Sequence, residues 1–234
     1  MLVLFSLAFI VLEVLKYELL GDALTSIILV MLTVLYVRST FKKQPFFFYF
    51  LITFTISEII LFITNFYPLV YNDIEFDYYI NNFLYALSYI FLIILCVKSM
   101  VFKDIISKFP VTLFILFALG VFSVTLITET AQPRLDTVEY AAKFLYNIVV
   151  MTLLSVSLLY YMYKEDNKSM LFFMGSMLIF FSEMIQLAYF YIAEIDYLAA
   201  IYSIFLVLAF GLYYGQSQIE HLESKSIPNQ KLKA

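Results

Sequence analysis

The sequence predicts an all-α integral membrane protein of eight transmembrane helices, arranged as two parallel four-helix repeats with both termini cytoplasmic. Three observations predict it. First, 64% of the 234 residues are hydrophobic and 14% charged, and the mean hydropathy is +0.94, whereas a soluble domain carries about 25% charged residues. Second, eight apolar segments approach the ~20 residues that a spanning helix needs. Third, the basic residues fall in alternate connections. Arg38, Lys42, Lys43, Lys98, Lys103, Lys108, Lys164, Lys168, Lys225, Lys231 and Lys233 share one side of an eight-span layout, and they are 11 of the 14 Lys and Arg residues. The opposite connections hold Asp73, Glu75, Asp77, Glu129, Asp136, Glu139, Glu194 and Asp196, with Arg134 and Lys143 as their basic company. The positive-inside rule puts the lysine-rich side in the cytoplasm.

The segments, in order, are Leu2–Leu20, Ala23–Val37, Phe46–Phe66, Ile80–Val101, Phe109–Thr128, Tyr140–Tyr163, Met170–Ile192 and Tyr197–Gln216. The first is interrupted by Glu13 and Lys16 but lacks the basic start and small-residue exit of a cleaved signal peptide, so it reads as a span. The second is the shortest. Runs of this length without alternation exclude barrel strands. Residues 1–216 form one transmembrane domain with repeat halves of about 1–105 and 106–216, and residues 217–234 form a polar cytoplasmic tail. The expected location is the bacterial inner membrane.

Composition also excludes chemistry. A net charge of −4 and a pI near 5.0 argue against nucleic acid as a partner, because phosphate backbones attract basic surfaces. One cysteine, Cys96, and one histidine, His221 in the tail, are too few for a zinc site, a disulfide or a histidine-based triad. No metal or cofactor is expected, and the oligomeric state stays open.

The repeat rests on two short matches. Segment three carries Ser57-Glu58 and segment seven carries Ser182-Glu183, each after a Phe-rich run. Counted from Pro45 and Ser169, both glutamates lie roughly 20 Å from the cytoplasmic face at 1.5 Å per residue. Charged side chains inside hydrocarbon cost at least ~2.5 kcal/mol and therefore face the bundle interior. Two carboxyls at one depth, if their helices face each other, supply an acid and a base without histidine. The competing explanation is a pair of neutral acids that fix helix register. Tyr85, Tyr89, Tyr146, Asn147 and Tyr202 reach a comparable depth and are candidate substrate-binding residues. Ser57 and Ser182 are candidate supports of the glutamates, able to bond their own helix backbone. Glu13 and Lys16 are spaced to pair on one helix face, and Tyr213-Tyr214 read as an interfacial aromatic belt.

The Ser-Glu pairs in spans three and seven, Phe83 and Tyr89 in span four, Leu145-Tyr146 in span six and Tyr213-Tyr214-Gly215-Gln216 closing span eight resemble the YhhN/lysoplasmalogenase family over nearly the whole chain. The resemblance implies a membrane hydrolase that cleaves the vinyl ether bond of a lysoplasmalogen, a membrane lysophospholipid, with Glu58 and Glu183 catalytic. Three departures stand out. Both glutamates occupy positions where the family has Asp, Ala86 stands where it often has His, and Asp22 replaces a Lys-Pro at the start of span two. Two alternatives stay open: a non-catalytic membrane relative, or a proton-coupled carrier of a small lipid-like solute.

Overall fold

The computed structural model describes residues 1–39, 43–71, 74–132, 135–192 and 195–219. Arg134, Glu194 and most of the polar tail, including His221, lie outside the described residues. Nine helices are described: α1 (Leu2–Val14), α2 (Glu18–Ser39), α3 (Pro45–Thr64), α4 (Phe76–Lys98), α5 (Phe102–Lys108), α6 (Pro110–Ala131), α7 (Thr137–Lys164), α8 (Asn167–Tyr191) and α9 (Asp196–Gln218). A two-residue antiparallel ladder, β1 (Val70–Tyr71) with β2 (Ile74–Glu75), joins α3 to α4. Among the described residues seven helices, α2, α3, α4 and α6 to α9, are long and apolar enough to cross a membrane. The chain is a multi-pass membrane protein.

Segment one differs from the expectation. Instead of running to Leu20, α1 stops at Val14, and thirteen residues at 1.5 Å each give ~20 Å, short of a ~30 Å hydrocarbon core. The stop is local. Lys16 takes a left-handed conformation with φ 58°, Tyr17 N donates to Leu12 O at 3.0 Å and Lys16 N to Glu13 O at 3.1 Å. These two bonds are the 6→1 and 5→2 pair that closes a helix C-terminus. The chain therefore reverses between Leu15 and Tyr17, and α2 starts five residues earlier than expected. The short α5 was not expected either, and the boundary drawn between the repeat halves falls inside it.

Consecutive long helices alternate in direction, so the bundle has two ends. Arg38, Lys98, Lys103, Lys108, Lys164 and Lys168 gather at one, which we call the basic end. Asp22, Asp77, Glu129, Asp136 and Glu139 gather at the other, the acidic end. Prolines at the first positions of α3 and α6 suit helix starts, where the missing N–H goes unused. Asp136 and Asp166 cap α7 and α8 through reciprocal capping boxes, which satisfies amides that would otherwise be orphaned.

Helices α2, α3, α4, α7, α8 and α9 supply one continuous core. An aromatic plug dominates its basic half: Phe50 stacks on Phe210 with centroids 5.5 Å apart, and Tyr213 meets Phe50 at 5.6 Å and Phe172 at 5.2 Å. Tyr213 is fully buried, and its hydroxyl lies 3.0 Å from Ser176 Oγ, so it is a core residue rather than part of an interfacial belt. A phenol can be buried in this way once its O–H finds a partner. At the periphery, α6 packs chiefly on α7 and leaves Phe114, Phe117 and Phe122 exposed, as a lipid-facing helix would.

Candidate functional site

Above the aromatic plug, toward the acidic end, the bundle opens. A cavity of about 650 Å³ is lined by Phe54, Glu58, Tyr85, Tyr146, Ser182, Glu183 and Tyr202 among others. Phe54 forms its floor, in ring contact with Tyr85 at 5.0 Å and Phe210 at 4.9 Å. The glutamates of α3 and α8 thus line one cavity.

Each glutamate is held by phenols. Tyr85 Oη on α4 donates to Glu58 Oε1 at 2.7 Å. Tyr89 Oη, one turn further along α4, donates to Glu183 Oε1 at 2.9 Å, and Tyr146 Oη on α7 donates to the same oxygen at 2.5 Å. One face of α4 therefore serves both carboxyls, because residues four apart lie above one another on a helix. Glu58 is 7% exposed and Glu183 is half-buried. Buried carboxyl oxygens keep their place in apolar surroundings only with such partners.

The other expected site residues divide. Tyr85, Tyr146 and Tyr202 line the cavity. Tyr89 is fully buried beneath it and reaches the site through Glu183. Asn147 points elsewhere: Nδ2 donates to Thr128 Oγ1 of α6 at 3.0 Å, tying the peripheral helix to the core, so its predicted substrate-binding place is corrected. One position along α7 from Tyr146, it was at the right depth but is turned about the helix axis toward α6. Asn147→Ala is expected to lower stability by about 0.6 kcal/mol, the average for interhelical bonds in membranes, and by no more than about 1.7, without changing ligand binding. Thermal unfolding in detergent, alongside a binding titration, checks it.

Ser57 and Ser182 do not bond their own helices. Ser57 Oγ donates to Asn81 O of α4 at 3.5 Å, and Ser182 Oγ donates to Tyr202 O of α9 at 2.8 Å. In both cases the serine beside the glutamate fastens its helix to the next one in sequence. Tyr202 also donates through Oη to Glu13 Oε2 at 2.7 Å, which brings α1 to the site.

A smaller cavity of about 270 Å³ adjoins the first. It is lined by Glu13, Lys16, Asp22 and Asn65, and it shares Glu58, Tyr85, Gln186 and Tyr202 with the larger one. Asn65 Nδ2 donates to Asp22 Oδ2 at 2.7 Å. The Glu58–Tyr85 pair therefore stands in a partition with a polar chamber behind it and a larger, more apolar one in front.

Among the lining residues that sequence reasoning missed are Asp77 and Asn81 on α4, Lys143 on α7 and Gln186 on α8. The signal for the first two was present, since Asp77, Asn81, Tyr85 and Tyr89 recur every fourth residue and mark a polar stripe on one helix face. Lys143 was assigned to a connection, but it lies six residues inside α7 with Nζ 4.7 Å from the Tyr146 ring centroid. Comparison with protein-family models, with curated proteins and with solved structures finds no match for this chain.

Proposed function

We propose that this protein is an intramembrane acid–base hydrolase, a divergent member of the YhhN/lysoplasmalogenase family, that cleaves the vinyl ether bond of a lysoplasmalogen-type lysophospholipid. The observation that carries the reading is the single cavity lined by both Glu58 and Glu183. In the proposed topology α1 counts as a short eighth span, both termini are cytoplasmic, the acidic end faces outward and the membrane is the bacterial inner membrane. Two parallel repeats, α1–α4 and α6–α9, are supported by the matched serine bonds from α3 to α4 and from α8 to α9. They are also supported by the packing of neighbours in the same order within each half.

The chemistry follows from the two carboxyls. The carboxylic acid of Glu58 gives its proton to the β-carbon of the vinyl ether, and the double-bond electrons form the new C–H bond, leaving an oxocarbenium ion at the ether carbon. Glu183, whose Oε1 already accepts two phenolic hydrogen bonds, acts as the carboxylate that faces this cation and takes a proton from the attacking water. The hemiacetal so formed breaks its C–O bond, releasing an aldehyde and the free glycerol hydroxyl. The proton held by Glu183 returns to the pool that reloads Glu58. The smaller chamber, with Glu13, Asp22 and Asn65 on its walls, gives water a polar approach to Glu58 from the side opposite the lipid.

The test is aldehyde release by the purified protein in detergent, from lysoplasmalogens and from their saturated-ether analogues. Aldehyde is expected from the vinyl ethers alone. No aldehyde from any vinyl ether lysolipid overturns the hydrolase. Solute uptake into proteoliposomes that collapses with the proton gradient would establish a carrier in its place.

A further inference from the structure

At the acidic end of the larger cavity, two buried acceptors have no partner among the described residues. Asp77 Oδ1 and Asn81 Oδ1 are both shielded from solvent and accept no hydrogen bond, and both residues line the cavity. Asn81 is only 6% exposed. They stand one turn apart on the same face of α4. Neighbouring Asn82 turns its Nδ2 to Tyr78 O of its own helix, at 2.8 Å. Buried acceptors without donors are rare and costly, and a cluster of them points to a missing group that brings donors.

The surroundings specify the group. One of the two acceptors belongs to a carboxyl, and aromatic rings of Tyr78, Tyr146 and Phe190 share the lining. A carboxyl, an amide oxygen and ring faces together suit a cation with N–H bonds rather than a neutral hydroxyl. Lys143 is the cavity's one cationic lining residue among those described. Helices α4 and α7 pack together and run the same way. Asn81 lies five residues into α4 and Lys143 six into α7, so both sit ~8–9 Å from the acidic ends of their helices. Tyr85 and Tyr146, which hold the glutamates, lie one turn deeper on the same two helices. The two acceptors and Lys143 thus stand nearer the acidic end than the carboxyls, with Asn81 and Lys143 at one level.

We infer that the mouth of the cavity is a head-group site for a zwitterionic phosphoethanolamine, with Asp77 and Asn81 accepting from its primary ammonium and Lys143 binding its phosphate. This rests on the lysophospholipid reading and adds the head group to it. A choline group, having three N-methyls and no N–H, leaves both oxygens unsatisfied. A phosphoglycerol brings hydroxyl donors but no positive charge for Asp77.

The experiment measures binding, not turnover. Purified full-length protein in detergent is loaded with a fluorescent lysolipid, which is displaced by saturated lysolipids of one chain length bearing ethanolamine, choline or glycerol heads. The ethanolamine form is expected to compete at least tenfold more tightly than the other two. Asn81→Leu and Asp77→Asn should erase the preference, whereas Lys143→Gln should weaken all three lipids by a similar factor. Equal competition by the three lipids with wild-type protein overturns the inference without recourse to any variant, as does failure of every lysolipid to displace the probe. A clear ethanolamine preference in a protein that releases no aldehyde would leave the head-group site standing and remove only the hydrolase.

Discussion

Replacing Glu58 or Glu183 with Gln is expected to cut aldehyde release from a lysoplasmalogen by at least about a hundredfold, the usual loss when a positioned acid or base is removed. The substitution keeps the shape and the capacity to accept from the tyrosines, so Tyr85 can still donate to residue 58 and Tyr89 and Tyr146 to residue 183. What disappears is the ability to give or take a proton. Binding of the saturated-ether analogue should therefore change little while the turnover rate falls. The double variant should be no worse than about the weaker single one, because residues acting in one proton relay are strongly non-additive. Turnover at the wild-type rate in either single variant would refute the roles assigned here. The glutamates would then be register-fixing groups that bind tyrosines across helices.

The second large effect concerns the plug below the site. Gly175→Val is expected to destabilise the protein by about 1–3 kcal/mol, as overpacking of a filled core does. A β-carbon at Gly175 would lie 2.9 Å from Tyr213 Cε1 and 3.0 Å from Cδ1. The ring cannot move aside freely, since its hydroxyl meets Ser176 and Phe50 and Phe172 pack on it. Here glycine lets α8 and α9 approach closely, the usual role of small residues between membrane helices. Gly211 on α9 is the control: nothing lies within 4 Å of the β-carbon it lacks. Gly211→Ala should therefore be neutral or slightly stabilising, since alanine is the better helix former. Thermal unfolding of both variants in detergent tests the pair, and equal behaviour would mean that the contact at Tyr213 carries no weight.

Much of the architecture was legible because it is local. Runs of apolar residues gave every long helix from α2 onward to within five residues at each end. The capping aspartates and starting prolines lie close to those ends. The exception, α1, was missed because its stop depends on a lysine in a left-handed turn, a place where glycine is the usual marker. Composition alone could not announce it.

Sequence by itself determined that the chain belongs in a membrane and how deep each polar residue lies, since a fixed rise per residue turns position into height. Glu58, Glu183, Tyr85 and Tyr146 were found at one level on that basis. Only the tertiary structure decided which way each helix is turned about its axis. It aimed Tyr89 and Tyr146 at a single carboxylate oxygen, turned Asn147 toward α6, and brought Asp77, Asn81 and Lys143 to the mouth of the same hollow. In a helix that is apolar almost all round, the pattern of residues barely distinguishes one face from another, so the rotation is fixed by packing against neighbours far away in the chain.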